Sequence, residues 1–258
     1  MAQLYAGMHN HLGINLGRFC IIVPRFHPIY YDHTGDTLQA LTRPYGTLHL
    51  QIDGPDHGPT VVFANSLGTD LRLWDKVLPL LPAGMRYVRY DKRGHGLSSQ
   101  MGGDTITDHA DDAIAVIEHV GGPVVFVGLS IGGLIAQTVA ARRPDLVRAL
   151  VLSNTAAKLG TADGWAARIA AVNDGGLETI ADGIMDRWFA PAFRATPELA
   201  LWRAMLTRTP ARGYTAACAA LAGADQTETT RTLRLPALVI AGSEDGASPP
   251  ATVFFWAS

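Results

Sequence analysis

Val124–Val125–Phe126–Val127–Gly128–Leu129–Ser130–Ile131–Gly132–Gly133 is the stretch on which the fold turns. Four apolar, mostly β-branched residues read as a short buried strand, and Ile131 to Arg142, rich in Ala, Leu and Gly, reads as a helix. Between them lies Gly-Leu-Ser-Ile-Gly, the G-x-S-x-G pattern of a nucleophile elbow. A strand that turns at once into a helix holds its central residue in a strained conformation with the side chain projecting, at a cost on the order of 1–3 kcal/mol. Glycine at Gly128 and Gly132 leaves room for two crowded backbone segments, where a Cβ would collide. Ser130 is thereby expected above the carboxyl ends of a parallel sheet, at a helix N-terminus that favours negative charge.

Working outward, strands and helices alternate. Thr47–Asp53 alternates polar and apolar residues, a Gly/Pro/Asp turn follows, and Thr60–Ala64 reads as a buried strand; together they suggest an antiparallel hairpin. Asn65–Ser66–Leu67–Gly68–Thr69 follows, with Asp70 as the cap of a helix reaching Leu81. Arg86–Asp91 reads as a strand running into Lys92–Arg93–Gly94–His95–Gly96–Leu97–Ser98. A helix over Asp108–His119 places Ala113, Ile114, Ile117 and Val120 along one face. Ala149–Ser153 and Ala237–Ala241 are further strands. This alternation predicts a doubly wound, mainly parallel α/β sheet. Between Asn154 and about Arg234 the strand signal vanishes in favour of broken helices carrying Trp165, Trp188 and Trp202, a composition suited to a lid over an apolar pocket. Simple helical packing is the other reading of each tryptophan.

The chain of 258 residues has a net charge of −2 and is 48% hydrophobic, which suits one large α/β domain and gives no reason to expect nucleic acid or an anionic membrane as partner. Cys20 and Cys218 make no metal or redox spacing, and no apolar run is long enough to span a membrane, so the expected location is cytoplasmic. Residues 1–40 show no sustained period beyond one short strand around Cys20–Val23 and are expected to be a loosely ordered extension, with 41–258 as the domain. The histidines there, His9, His11, His27 and His33, have no metal-ligand spacing.

The sequence resembles the α/β-hydrolase family, in its branch of esterases, lactonases and cofactor-free haloperoxidases. Strand-NSLG, strand-DKRGHGLS, strand-GLSIGG and strand-GSED occur in the family's order from about Gly46 to Pro250. The longer strings FANSLGTDLRLW, RYDKRGHGLSS, GLSIGGLIAQ and AACAALAGAD are similar to those of 3-oxoadipate enol-lactonases, enzymes of aromatic catabolism. The resemblance implies an α/β-hydrolase fold with a helical lid over 154–235, no cofactor or metal, and a small lactone or ester as substrate. It makes Ser130 the nucleophile and the backbone N–H groups of Leu67 and Ile131 the oxyanion hole. It makes Asp245 the acid that orients a catalytic histidine, although a turn-forming Asp is the alternative there. Trp165 and Arg168 would face the pocket, Arg168 holding a substrate carboxylate; a solvated helix arginine is the plainer reading.

One departure bears on activity. The family's triad runs Ser, Asp, His in chain order, yet the last histidine here is His119. The resemblance would place a helix, a strand and a histidine loop beyond Asp245, so the expectation is a frameshift, a premature stop or a shortened variant, and an impaired hydrolase. His95 in the RGHG loop is the nearest substitute by topology, with stabilisation of that loop as its simpler role; His109 and His119 fall on a helix that packs on the sheet. A non-catalytic binding module, another carboxylester hydrolase and a haloperoxidase-like enzyme are the competing readings.

Overall fold

The computed structural model describes residues 38–100 and 102–253. The expectations for the first 37 residues, including the strand near Cys20 and the four histidines, lie outside the described residues, as does the tail after Val253.

Seven strands form one sheet in the order β1 (Gln39–Arg43), β2 (Gly46–Asp53), β4 (Arg86–Tyr90), β3 (Thr60–Ala64), β5 (Val124–Leu129), β6 (Val147–Ser153), β7 (Ala237–Ile240). β1, β2 and β4 pair antiparallel in that order; from β4 to β7 every pairing is parallel. The sheet is mainly parallel, as its alternation with helices predicts. The hairpin, however, is β1–β2 and not the expected pair of 47–53 with 60–64. The turn at Gly54–Pro59 sends the chain across β4 rather than back along β2, so β3 lies inside the sheet. A fully buried run such as Thr60–Ala64 suits an interior parallel strand. β1 begins at Gln39, two residues before the expected domain start.

Both faces of the sheet are covered. Val62 and Ala64 point into the larger core with helices α1 (Ile106–Val120) and α2 (Ile131–Arg142), while Val61 and Phe63 pack with Trp74, Leu78 and Tyr87 on the other face. Those last contacts come from two short 3-10 turns, Leu71–Trp74 and Leu78–Leu80, where a single helix was expected. Pro79 and Pro82 interrupt its hydrogen bonds, although Asp70 does cap the first turn by accepting from the Arg72 N–H. α1 starts two residues earlier than expected, on a capping box between Thr105 and Asp108. α2 is buried from Ile131 to Ala140, which is why it reads apolar all round.

Between β6 and β7 stand six helices: α3 (Ala162–Gly175), α4 (Glu178–Trp188), α5 (Pro191–Arg194), α6 (Leu199–Thr207), α7 (Ala211–Ala222) and α8 (Thr227–Arg231). α9 (Pro250–Val253) follows β7. Among the described residues no helix is long and apolar enough to cross a membrane.

The elbow is built on backbone proximity. A Cβ on Gly128 would lie 2.3 Å from the Gly132 carbonyl oxygen, and one on Gly132 would lie 2.1 Å from the Ala64 carbonyl oxygen. Backbone cannot yield as a side chain can. Gly132→Ala is expected to cost about 1–3 kcal/mol through forced separation of α2 from β3. A urea melt checks this; an unchanged midpoint would show that the contact is soft.

Candidate active site

Ser130 is the single residue between β5 and α2, with φ 57° and ψ −120°. A non-glycine residue in that region is strained and is held there by its surroundings. Its N–H donates to the Ser153 carbonyl at 3.0 Å, and its carbonyl accepts from the Thr155 hydroxyl at 2.7 Å and the Gly133 N–H at 2.8 Å. With its backbone fixed from three sides, Ser130 lines two cavities that share Ser66 and Trp188.

The first cavity, about 480 Å³, is walled by Leu73, Leu129, Trp188, Phe189 and Trp202, with Asn154 and the loop 242–248 on the sheet side. Its aromatics form one cluster, with Phe189 stacked on Phe193 at 4.6 Å between ring centroids and 5.5 Å from Trp202. The second cavity, about 270 Å³, is lined by Leu67, Trp165, Arg168, Arg187 and Tyr214. Trp165 and Arg168 thus both face the space beside Ser130. The Trp165 indole N–H donates to the Leu159 carbonyl at 2.6 Å, which fixes the ring, and the Arg168 guanidinium lies 5.1 Å from its centroid. Neither Arg168 nor Arg187 is ion-paired within the described residues. Burial raises the Tyr214 hydroxyl and pushes the Cys218 thiol up to about 12, so that thiol stays protonated and unreactive at neutral pH.

Asp245 follows β7 and lines the first cavity. Its Oδ1 accepts from the Ala247 and Ser248 N–H groups at 2.7 and 2.9 Å, and its Oδ2 accepts from Asn154 Nδ2 at 2.7 Å. The turn-forming role and the place at the cavity are therefore both occupied by the same carboxylate. Of about four lone-pair positions on a carboxylate, three are used, and the free one is on Oδ2.

None of the described histidines lines either cavity. His95 is fully buried; its Nε2 accepts from the Gly68 N–H at 3.1 Å, so the proton sits on Nδ1 and is donated to the Arg93 carbonyl at 3.2 Å. Burial and the neighbouring Lys92 hold it well below the ordinary histidine range, and it stays neutral. His95 braces its loop. His109 Nε2 meets the Gly103 carbonyl at 3.0 Å and is pushed down to about 4 by burial, and His119 is exposed on α1. Among the described residues no group of three His, Cys, Asp or Glu side chains is placed to hold a metal ion.

Against known proteins, the model of the alpha/beta hydrolase family matches residues 42–257. The chain belongs to the alpha/beta hydrolase family. Within it, the chain is similar to 3-oxoadipate enol-lactonase 1 of Acinetobacter baylyi, at 37% identity over 202 residues, 77% of this chain and 76% of the relative. Two solved structures align over most of their length. A hydrolase from Pseudomonas aeruginosa PA01 superposes with a TM-score of 0.80 at 35% identity, covering 85% of each chain. The enol-lactonase from Burkholderia xenovorans LB400 gives 0.77 at 34% identity, covering 83% of this chain and 85% of that one.

Several lining residues were not singled out from the sequence. Asn154 could have been, since it ends a strand on the carboxyl edge of the sheet, where ligands of open α/β sheets bind. Arg187 and Phe189 carry no local signal, because helix packing alone decides which face of α4 turns inward.

Proposed function

We propose that the chain is a serine-nucleophile hydrolase of the 3-oxoadipate enol-lactonase type, acting on a small lactone that carries a carboxylate. The observation that carries this reading is Ser130, strained at the strand–helix junction and shared by an apolar cavity and a cationic one. The Ser130 hydroxyl attacks the lactone carbonyl, and the developing alkoxide is received by the N–H groups of Leu67 and Ile131, which are not spent on any protein acceptor among the described residues. The ring C–O bond breaks, the enol leaves with a proton and rearranges to the ketone, and water then releases 3-oxoadipate from the acyl-enzyme. Arg168, beside the Trp165 ring, holds the lactone's carboxylate, an assignment favoured by the lack of any ion pair to Arg168 within the described residues.

Turnover by these 258 residues is slow in this reading, since no described histidine stands where it could take the Ser130 proton. The test is incubation of the purified chain with the enol-lactone and with a neutral p-nitrophenyl ester, with and without added imidazole, following 3-oxoadipate by mass spectrometry. Lactone opening no faster than the buffer blank in every condition would overturn the proposal.

For Arg168→Met, the expected result is a rise in KM for the lactone of about 10- to 100-fold, from loss of a charged hydrogen bond worth about 1.5–3 kcal/mol. The neutral ester should be unaffected; a parallel loss for both substrates would place Arg168 in packing instead. A second reading, a binding module without catalysis, is favoured by the three hydrogen bonds already made by Asp245, and stable lactone binding without opening would establish it.

A further inference from the structure

Lys92 has no part in the chemistry above, yet it is one of the largest fully buried side chains of the protein. It lies in the loop that leaves β4, and its ammonium faces the loop that leaves β3. Nζ donates to the Ser66 carbonyl at 2.5 Å and to the Thr69 carbonyl at 3.3 Å. The Ser66 carbonyl also accepts from the Thr69 hydroxyl at 2.9 Å. That carbonyl belongs to the same peptide unit as the Leu67 N–H.

In a planar trans peptide the C=O and N–H point in opposite directions, and the only cis peptide described is Gly122–Pro123. Two donors gripping the Ser66 oxygen therefore fix the direction of the Leu67 N–H, away from Lys92. The neighbouring peptide is fixed as well, because the Gly68 N–H is bonded to His95 Nε2 at 3.1 Å. At the loop's start, Asn65 Nδ2 donates to the Tyr90 carbonyl at 2.8 Å while its Oδ1 accepts from the Trp74 indole at 2.6 Å. Of these bonds, the Lys92 bond alone brings a full positive charge to the carbonyl, and a polarised amide donates more strongly from its other end.

We propose that Lys92 is a positioning residue that aims and polarises the Leu67 N–H through the Ser66–Leu67 peptide, sharpening the oxyanion site. The idea rests on Leu67 being an oxyanion donor and goes beyond it by naming what prepares that donor. Burial lowers the Lys92 amine to about 7, against the opposing pull of Asp91 and Asp70. The titratable groups facing it are Asp91 on its own loop, Asp70 on the opposite loop, and the histidines His95 and His109. Both histidines are held below their ordinary range, His109 to about 4, while a third, His49 on β2, is bonded to Asp91 Oδ2 at 2.8 Å. The ammonium, and with it the polarising effect, is present below about pH 7 and is lost above it.

The test is phosphonylation of the full chain by an alkyl fluorophosphonate in imidazole buffer, measured at saturating probe. Lys92→Met is expected to lower the saturating rate about 10- to 100-fold at pH 6, short of the roughly 10²–10³-fold typical for removing a donor outright, with the half-saturating concentration unchanged. The ratio of wild-type to variant rate should shrink as pH rises through 7. Thr69→Val, which removes the uncharged bond to the same carbonyl, should give a smaller loss with no pH trend, and it carries the test if Lys92→Met does not fold. Folded variants with unaltered saturating rates would overturn the proposal, and a pH-independent ratio would reduce Lys92 to a structural brace. If the wild-type chain forms no adduct on Ser130, the nucleophile assignment itself fails; an adduct in the wild type with none of these variant effects refutes the role of Lys92 alone.

Discussion

With imidazole supplied in solution, Ser130 is expected to be phosphonylated at a rate that climbs with imidazole concentration, and Ser130→Ala to give no adduct at any concentration. The reasoning is one of non-additivity. Where serine and histidine act as a unit, removing either costs about 10⁶ in rate, roughly 8 kcal/mol, and removing the second costs little more. With no described histidine at the cavity, the chain should sit near that residual level, where the oxyanion site and binding still give about 10³–10⁴ over water. In lactone turnover, Ser130→Ala should then change the imidazole-free rate only slightly while removing the whole imidazole-dependent increment. The free lone pair of Asp245 Oδ2 is where a small imidazole can donate its second N–H. Intact mass and peptide mapping read the outcome directly. Rapid labelling without imidazole would mean that some group in the chain already serves as base.

Asp112→Ala should produce the largest loss of stability, about 3–5 kcal/mol, since it strips the nearest carboxylate from a buried cation and leaves only Asp108, partly exposed and 3.8 Å away. Asp112 is 1% exposed; its oxygens accept from Arg93 Nε and Nη2 at 2.6 and 2.8 Å and from Arg43 Nε at 3.2 Å. Arg93 is itself only 8% exposed, and its guanidinium lies 4.1 Å from the Tyr45 ring centroid. Arg43 can turn to solvent; Arg93 cannot. For a domain of this size the melting temperature should fall on the order of 10 °C. The double variant Arg93→Met/Asp112→Leu should recover at least half of the loss, because it leaves no unpaired charge. A loss below about 1 kcal/mol for Asp112→Ala would mean that water reaches Arg93 readily.

The elbow, the strands around it and the parallel sheet were legible because each rests on a local signal. Gly128 and Gly132 flank a serine where strand meets helix, and Thr60–Ala64 is apolar after its first residue. The pairing of β2 was not legible. Alternation in Thr47–Asp53 says that one face is covered, yet it does not say by which neighbour, and β4 lies more than thirty residues on. The helix expected from Asp70 to Leu81 failed because its cap is real and its interior holds Pro79. In the site, Trp165 and Arg168 one turn apart on α3 were readable as a pair. Lys92 was not, since a lysine in a Gly-rich loop reads as solvated until the fold buries it.

One contact made without side chains bears on how ligands come and go. Where α7 crosses the RGHG loop, a Cβ on Gly213 would lie 2.0 Å from the Gly94 carbonyl oxygen. Main chain rests on main chain there, so the helical layer has no slack at that crossing and cannot lift as one rigid door. Any breathing that admits a guest to Ser130 is therefore expected to leave this crossing in place and to move helices farther from it.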